Sequence, residues 1–316
     1  MKLLLAPMEG VLDPLVRALL TRINPYDLCI SEFLRVTDKV LPSKVFYRYC
    51  PELYQGGLTS SGTPVRVQLL GQSPEYLAEN AYKAIELGSH GIDLNCGCPS
   101  KLVNGHGGGA TLLKTPDLIY QAVSHMVRAI PANQVVSVKI RLGWETDKHA
   151  YEIADAAFQG GAKLLTVHGR TKQDGYQANK INWPAIANIR KKLPIDVVAN
   201  GEIWDRASAE RCLLITGCRS LMIGRGALAT PNLAEVIKQD VPNLEWRKVI
   251  ALFIDYFALE KPGDNGLYHM ARTKQWLNFL RITYPEAQVI FSQIRPMQQI
   301  KDIQTTFLAA LSDMNR

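Results

Sequence analysis

Eight short apolar runs, rich in β-branched residues, recur along the first part of the chain. They lie at 3–8, 28–33, 65–70, 91–95, 135–140, 164–168, 196–200 and 220–224. Most are continuous rather than alternating, the pattern of parallel strands covered on both faces. Amphipathic segments at 76–87, 117–130, 151–159, 185–193 and 207–215 separate them and predict helices. Thr115-Pro116-Asp117 and Asn182-Trp183-Pro184 put proline near a first helical turn, while Gly88, Gly160-Gly161 and Gly217 end three of the helices. Eight such alternations in about 230 residues predict a TIM (β/α)8 barrel. A doubly wound sheet is the alternative, but it more often has about five to seven strands.

Two regions depart from the repeat. The link between residues 33 and 65 is long and contains Leu41-Pro42 and Tyr54-Gln55-Gly56-Gly57, so it reads as an irregular excursion rather than a simple crossover helix. After Gln239 no strand pattern returns. Residues 246–259, 266–282, 286–295 and 300–314 read as helices, which predicts a barrel over 1–242 and a C-terminal all-α helical domain over 243–316.

Composition narrows the class. Of 316 residues, 47% are hydrophobic and 21% charged, as in ordinary soluble proteins. No stretch approaches the roughly 18 apolar residues of a membrane span. The opening Met1-Lys2-Leu3-Leu4-Leu5-Ala6-Pro7 is shorter than a signal-peptide core. Six unevenly spaced cysteines make no disulfide framework. The expectation is a cytoplasmic, monomeric protein with no membrane partner. The net charge of +7 permits a polyanionic partner, but it is not gathered in a tail: residues 243–316 hold nine Lys/Arg against seven Asp/Glu.

Active sites of barrels sit at the carboxyl ends of the strands, and here each run ends in polar or glycine residues. These ends are Pro7-Met8-Glu9, Ser31-Glu32, Gln68, Asn95-Cys96, Lys139 with Arg141, His168, Asn200-Gly201-Glu202 and Gly224-Arg225. Taken together they describe a polar ring around one pocket. The stretch Asn95-Cys96-Gly97-Cys98-Pro99, followed by Gly107-Gly108-Gly109, presents a thiol beside a loop that lets main chain approach a ligand. Most cysteines are inert small hydrophobes. A Cys-x-Cys pair can also bind metal, but zinc normally takes four ligands and no second cluster is near, so no metal is expected. Asn200-Gly201-Glu202 and Gly224-Arg225-Gly226 place small residues and a guanidinium where barrels commonly bind phosphate. With Gln68 and Lys139 facing a polar heterocycle, flavin mononucleotide (FMN) fits better than a bare sugar phosphate.

In this order and across the whole barrel, several motifs resemble the tRNA-dihydrouridine synthases. They are Leu5-Ala6-Pro7-Met8-Glu9-Gly10, Val67-Gln68-Leu69, Asp93-Leu94-Asn95-Cys96-Gly97-Cys98-Pro99, Val138-Lys139-Ile140-Arg141-Leu142-Gly143, Val167-His168-Gly169-Arg170, Ala199-Asn200-Gly201-Glu202-Ile203 and Ile223-Gly224-Arg225-Gly226. The helical tail is similar to the family's RNA-binding domain. Met8-Glu9-Gly10-Val11-Leu12-Asp13, Lys44-Val45-Phe46 and Gly201-Glu202-Ile203-Trp204-Asp205 resemble the bacterial C subtype, which acts on uridine 16 of the tRNA D-loop.

The resemblance implies an FMN enzyme that reduces the C5–C6 double bond of uridine with NADPH. By position it assigns Pro7, Met8, Glu9, Gln68, Lys139, His168, Asn200, Gly201, Glu202, Gly224 and Arg225 to FMN, and Cys98 to general acid catalysis. It further implies that Asn95 bonds the flipped uracil and that Arg35, Tyr176, Arg272, Lys274 and Arg295 contact tRNA. Cys96 is expected to pack. Two other readings stand beside this one: an FMN barrel oxidoreductase of a free pyrimidine, and a non-catalytic tRNA-binding factor. The first has little use for the tail; the second has no need of Cys98 or Lys139.

Overall fold

A computed structural model describes residues 1–105, 107–259, 261 and 263–314. Eight strands pair in parallel and in chain order into a closed barrel: β1 (Lys2–Leu5), β2 (Leu28–Arg35), β3 (Val65–Leu70), β4 (Ile92–Cys96), β5 (Val136–Arg141), β6 (Leu164–His168), β7 (Asp196–Asn200) and β8 (Ser220–Ile223). Side chains alternate across each strand. Leu4, Ala6, Ile30, Val198 and Met222 form a small cluster in the barrel interior, while Leu3 and Leu5 belong to the large core shared with the surrounding helices.

Three differences from the sequence pattern have local causes. The first strand stops at Leu5: Ala6 N still bonds Ile223 O at 2.8 Å, but Pro7 has no N–H to continue the ladder. The second runs on to Arg35 through a register shift between Ile30 and Phe33, the signature of a bulge. The bulge leaves Ser31 Oγ to accept the Gln68 N–H at 3.1 Å and Glu32 to accept the Gly10 N–H. The third is a helix, Pro14–Arg22, that the apolar pattern did not single out; Asp13 caps it through Val16 N at 2.8 Å with Pro14 in the first turn.

The link between β2 and β3 is irregular, with a short helix Ser43–Tyr49, a 3-10 turn Pro51–Gln55 and an isolated antiparallel bridge between Leu58 and Pro64. It is pinned to the first helix by a buried ion pair, in which Arg17 Nε and Nη2 donate to Glu52 at 2.7 and 2.8 Å.

The tail forms four helices, Trp246–Ala258, Leu267–Leu280, Pro285–Ile294 and Ile300–Asp313. Phe253 is their centre, with the Trp276 and Phe307 rings 4.9 and 4.7 Å away. These helices sit over the β8–β1 side of the barrel. Trp276 Nε1 donates to Leu228 O at 3.1 Å, and the Tyr268 hydroxyl donates to Asp13. Tail and barrel side chains join in one continuous core.

Candidate active site

At the carboxyl ends of the strands lies a cavity of about 500 Å³. Its lining includes Cys98 and all the residues assigned to FMN: Pro7, Met8, Glu9, Gln68, Lys139, His168, Asn200, Gly201, Glu202, Gly224 and Arg225. Asn95 and Tyr176 line it as well. Arg141, expected in the polar ring, lines it too, and the fold adds Ile203, Trp204 and Met222 from the barrel. Phe279, from the second tail helix, also reaches the cavity, so the tail forms part of its wall.

The floor is a directed chain of hydrogen bonds. Ser137 Oγ donates to Asp93 Oδ1 at 2.5 Å, and Gln68 Nε2 donates to Asp93 Oδ2 at 2.6 Å. With its amide nitrogen spent there, Gln68 turns Oε1 toward Asn95 Nδ2, which donates at 2.8 Å. Asn95 Oδ1 then accepts the backbone N–H groups of Gly97 and Cys98, both at 2.9 Å. Arg141 braces the other side, donating from Nε to Gly97 O at 2.8 Å and from Nη1 to Thr171 O and Gly175 O at 3.0 Å. The loop after β4 therefore leaves the strand in one defined direction. Gly109 closes against it: at φ +64°, a Cβ there would stand 3.1 Å from the Cβ of Cys98.

The two cysteines of this loop differ. Cys96 is fully buried within the core. Cys98 is partly exposed to the cavity. Burial pushes its thiol above the ordinary range; the Ser100 N–H draws it back, Glu9 adds to the rise, and Arg141 and Lys139 oppose it. The net direction is upward, so the group keeps its proton at neutral pH.

Beside the thiol begins a cationic wall. Lys139 Nζ donates to Asn200 Oδ1 at 3.0 Å, and Asn200 Nδ2 donates to Met222 O at 2.8 Å. Burial and the neighbouring Arg141 lower Lys139 to about 8. His168 is driven well below its ordinary range by burial and by Arg141, Lys139, Arg170 and Arg225, so its ring is neutral. Its Nδ1 is buried with no partner among the described residues. Glu202 has φ +56°, a conformation few side-chain-bearing residues adopt. That conformation directs Oε1 to Arg170 Nη2 at 2.7 Å and Arg225 Nη2 at 2.6 Å, while Trp204 Nε1 donates to Oε2 at 2.8 Å. Burial opposes ionisation of Glu202, but Trp204 and the two guanidiniums outweigh it and hold the carboxylate charged. Tyr176 leans over this wall with the Arg225 and Arg141 guanidinium carbons 5.0 and 5.2 Å from its ring centroid.

Chemically, the cavity suits a flat heterocycle ending in an anionic group. It supplies amide donors and acceptors on its floor, one cation beside the thiol, an unpartnered imidazole nitrogen, and a guanidinium at the β7–β8 side. Gly201 keeps that side open: a Cβ there would come within 2.8 Å of Ile181 Cδ1 and 3.5 Å of His168 Nε2.

The remaining candidates for RNA contact are dispersed. Arg35 ends β2 and is partly exposed. Arg272 lies at the barrel–tail seam, over the Tyr268 ring at 5.1 Å and donating to Gln275 Oε1 at 2.5 Å. Lys274 donates to Arg295 O and Met297 O at 3.1 and 2.6 Å, holding the end of the third tail helix. Arg295 is exposed. Sequence reasoning missed Trp204, Asp93 and Phe279 as parts of the site. Asp93 lies within a quoted motif, and Trp204 follows directly on Glu202; for Phe279 no local signal exists.

Comparison with known proteins agrees with this geometry. The chain matches the dihydrouridine synthase (Dus) family over residues 4–306. It is 60% identical over 303 residues to a tRNA-dihydrouridine(16) synthase of Yersinia pestis, covering 96% of this chain and 97% of that one. To the tRNA-dihydrouridine(16) synthase of Escherichia coli strain K12 it is likewise 60% identical over 303 residues, with 96% of each chain covered. Among solved structures, a variant of NCR from Zymomonas mobilis superposes with a TM-score of 0.56 at 14% identity, covering 77% of this chain and 88% of that one. At that identity the likeness concerns the barrel fold alone. A match to the family over residues 4–306, with relatives 60% identical across 96% of the chain, identifies this chain as a member of the dihydrouridine synthase family.

Proposed function

We propose that this chain reduces the C5–C6 double bond of uridine 16 in the tRNA D-loop to 5,6-dihydrouridine, with FMN in the barrel cavity and NADPH as reductant. The observation that carries the reading is the partly exposed Cys98 thiol, held protonated in the same cavity as Lys139 and the unpartnered Nδ1 of His168. A bound flavin would supply the hydride chemistry between a nicotinamide and the uracil ring.

The protein's own residues do the rest. Gln68 and Lys139 meet the polar edge of the ring system, and Lys139 places positive charge where reduction builds negative charge. His168, being neutral, serves as a hydrogen-bond partner rather than a cation. Pro7, Met8 and Glu9 form a wall, while Asn200, Gly201, Glu202, Gly224 and Arg225 take the phosphate end. Arg225 retains a net favourable charge for phosphate because Glu202 answers two guanidiniums at once. Cys98 donates the proton needed at C5, and a thiol that stays protonated at neutral pH is the correct form for an acid. Asn95 has one amide hydrogen left after bonding Gln68, which suits a uracil carbonyl. Such a base must leave its stack to reach the mouth of a barrel.

Residues 1–242 are the catalytic domain in this reading and 243–316 the tRNA-binding domain, acting within a monomer. Arg35, Tyr176, Arg272 and Arg295 face the RNA, and Lys274 supports them. Position 16 rests on the relatives named for it. Mapping dihydrouridine in tRNA from cells with and without this chain tests the reading, together with mass identification of the extracted flavin. Loss confined to position 16, with FMN recovered, is expected. Unchanged position 16 or a different flavin overturns the corresponding part.

A further inference from the structure

On the barrel rim two lysines share one aromatic ring. Lys114 Nζ lies 4.0 Å from the centroid of Trp144, and Lys172 Nζ lies 4.3 Å from the same centroid. The three residues come from successive loops. Lys114 ends the 3-10 turn Gly109–Lys114 after β4, Trp144 follows β5, and Lys172 follows β6. Backbone bonds tie the last two loops together, with Lys172 N to Gly143 O at 2.8 Å and Gln173 N to Trp144 O at 2.9 Å.

Folding gains little from this arrangement: each ammonium has a modest attraction to the ring, but the two like charges repel each other, and pairing each with a carboxylate would relieve that repulsion. Lysine ion pairs among the described residues are Lys83–Glu86 and Lys238–Asp27, so neither rim lysine has a carboxylate partner there. Glu145 and Asp147, in the loop just after Trp144, are exposed and do not pair with them. The ring's electron-rich surface is already engaged by two cations, which makes it a mount for ammonium groups rather than a platform for a base.

Position gives the cluster its meaning. In a closed barrel numbered in chain order, β5 stands across from β1. The tail covers the β8–β1 side, through Trp276 on Leu228 and Tyr268 on Asp13. The lysine–tryptophan–lysine cluster therefore stands on the far side of the mouth from the tail, and the turn that carries Lys114 begins at Gly109 against Cys98.

We propose that Lys114 and Lys172, held by Trp144, form a second phosphate-contact site for the tRNA, gripping the strand that enters the cavity from the side opposite the tail. This rests on tRNA being the substrate. The phosphates of NADPH share the same chemistry, and the test separates the two sources.

The test uses full-length, flavin-loaded protein and a tRNA transcript lacking dihydrouridine, with affinity measured across a range of KCl. Each lost phosphate contact lowers the slope of log K against log salt by about 0.7–0.9. Lys114→Ala/Lys172→Ala is expected to flatten the slope by about 1.4–1.8 and weaken binding, with flavin content and NADPH-driven flavin reduction unchanged. Lys114→Arg/Lys172→Arg is expected to keep the slope. An unchanged slope in the alanine variant overturns the proposal, as does equal loss in the arginine variant. A defect confined to flavin reduction assigns the cluster to NADPH and overturns it as well. If the unsubstituted protein itself shows no salt-dependent tRNA binding, the substrate reading fails instead.

Discussion

The side-chain oxygen of Asn95 accepts the backbone N–H of Cys98 at 2.9 Å, so the residue near the end of β4 sets where the thiol points. Asn95 is in turn held by Gln68, and Gln68 by the buried Asp93. The carboxylate accepts, the amides must therefore align, and the direction is passed along to the loop.

Cys98→Ala is expected to leave NADPH-driven flavin reduction intact, since that step needs no proton at uracil C5. Reoxidation of the reduced variant by tRNA is expected to slow by about 10²–10⁴-fold, the usual cost of a lost general acid. Rapid mixing followed at the flavin absorbance reads both steps. Cys96→Ala, in the core, is expected to turn over normally; if it alone blocked reoxidation, the acid would be misassigned.

Arg225→Ala is expected to weaken FMN retention by about 1.5–3 kcal/mol, the range for a hydrogen bond to a charged group. Equilibrium dialysis of the apoprotein measures it. Glu202→Ala is expected to act first on stability, lowering it on the order of 3 kcal/mol, because it removes the carboxylate from the fully buried Arg170. Thermal unfolding distinguishes the two variants.

FMN affinity of the apoprotein is expected to be flat below about pH 8 and to decline above it. Lys139 titrates at about 8, so the ammonium present below that pH is lost as pH rises through it. An anionic ligand binds the charged form better and must then retain the proton. Lys139→Ala is expected to bind more weakly and to lose this bend in the profile. A bend that survives the substitution would assign it to another group.

Arg295 and Lys274 are expected to part company when each is replaced by alanine. Arg295 is exposed, so its loss should reduce tRNA affinity and its salt slope with little change in melting temperature. Lys274 holds Arg295 O and Met297 O, so its loss should lower the melting temperature as well as the affinity. Equal melting temperatures for the two variants would count against a supporting role for Lys274.

Much of this protein was legible in its residues. The apolar runs at 65–70, 164–168 and 196–200 coincide with β3, β6 and β7, because a strand covered on both faces is largely apolar. Polar strand ends then located the cavity, since a barrel brings equivalent ends to one face. The helix Pro14–Arg22 was also written in the chain, as Asp13-Pro14 ahead of its apolar stripe, although the pattern did not single it out.

Other features depend on approach between segments far apart in sequence, for which no local pattern exists. Phe279 enters the cavity only because Trp276 and Tyr268 seat the tail on the β8–β1 side. Lys274, a surface cation by composition, is drawn to two carbonyls that the next helix leaves unpaired. The lysines at 114 and 172 meet at Trp144 because three successive loops converge on one rim. Hydrophobic period and the chemistry of strand ends are properties of neighbouring residues, so the sequence by itself determined the barrel and most of the strand-end residues that line its pocket. Which polar groups are consumed in holding one another, and which are left free for a ligand, was decided only by the tertiary structure, because hydrogen bonding and charge pairing act over a few ångströms in space, whatever the distance along the chain.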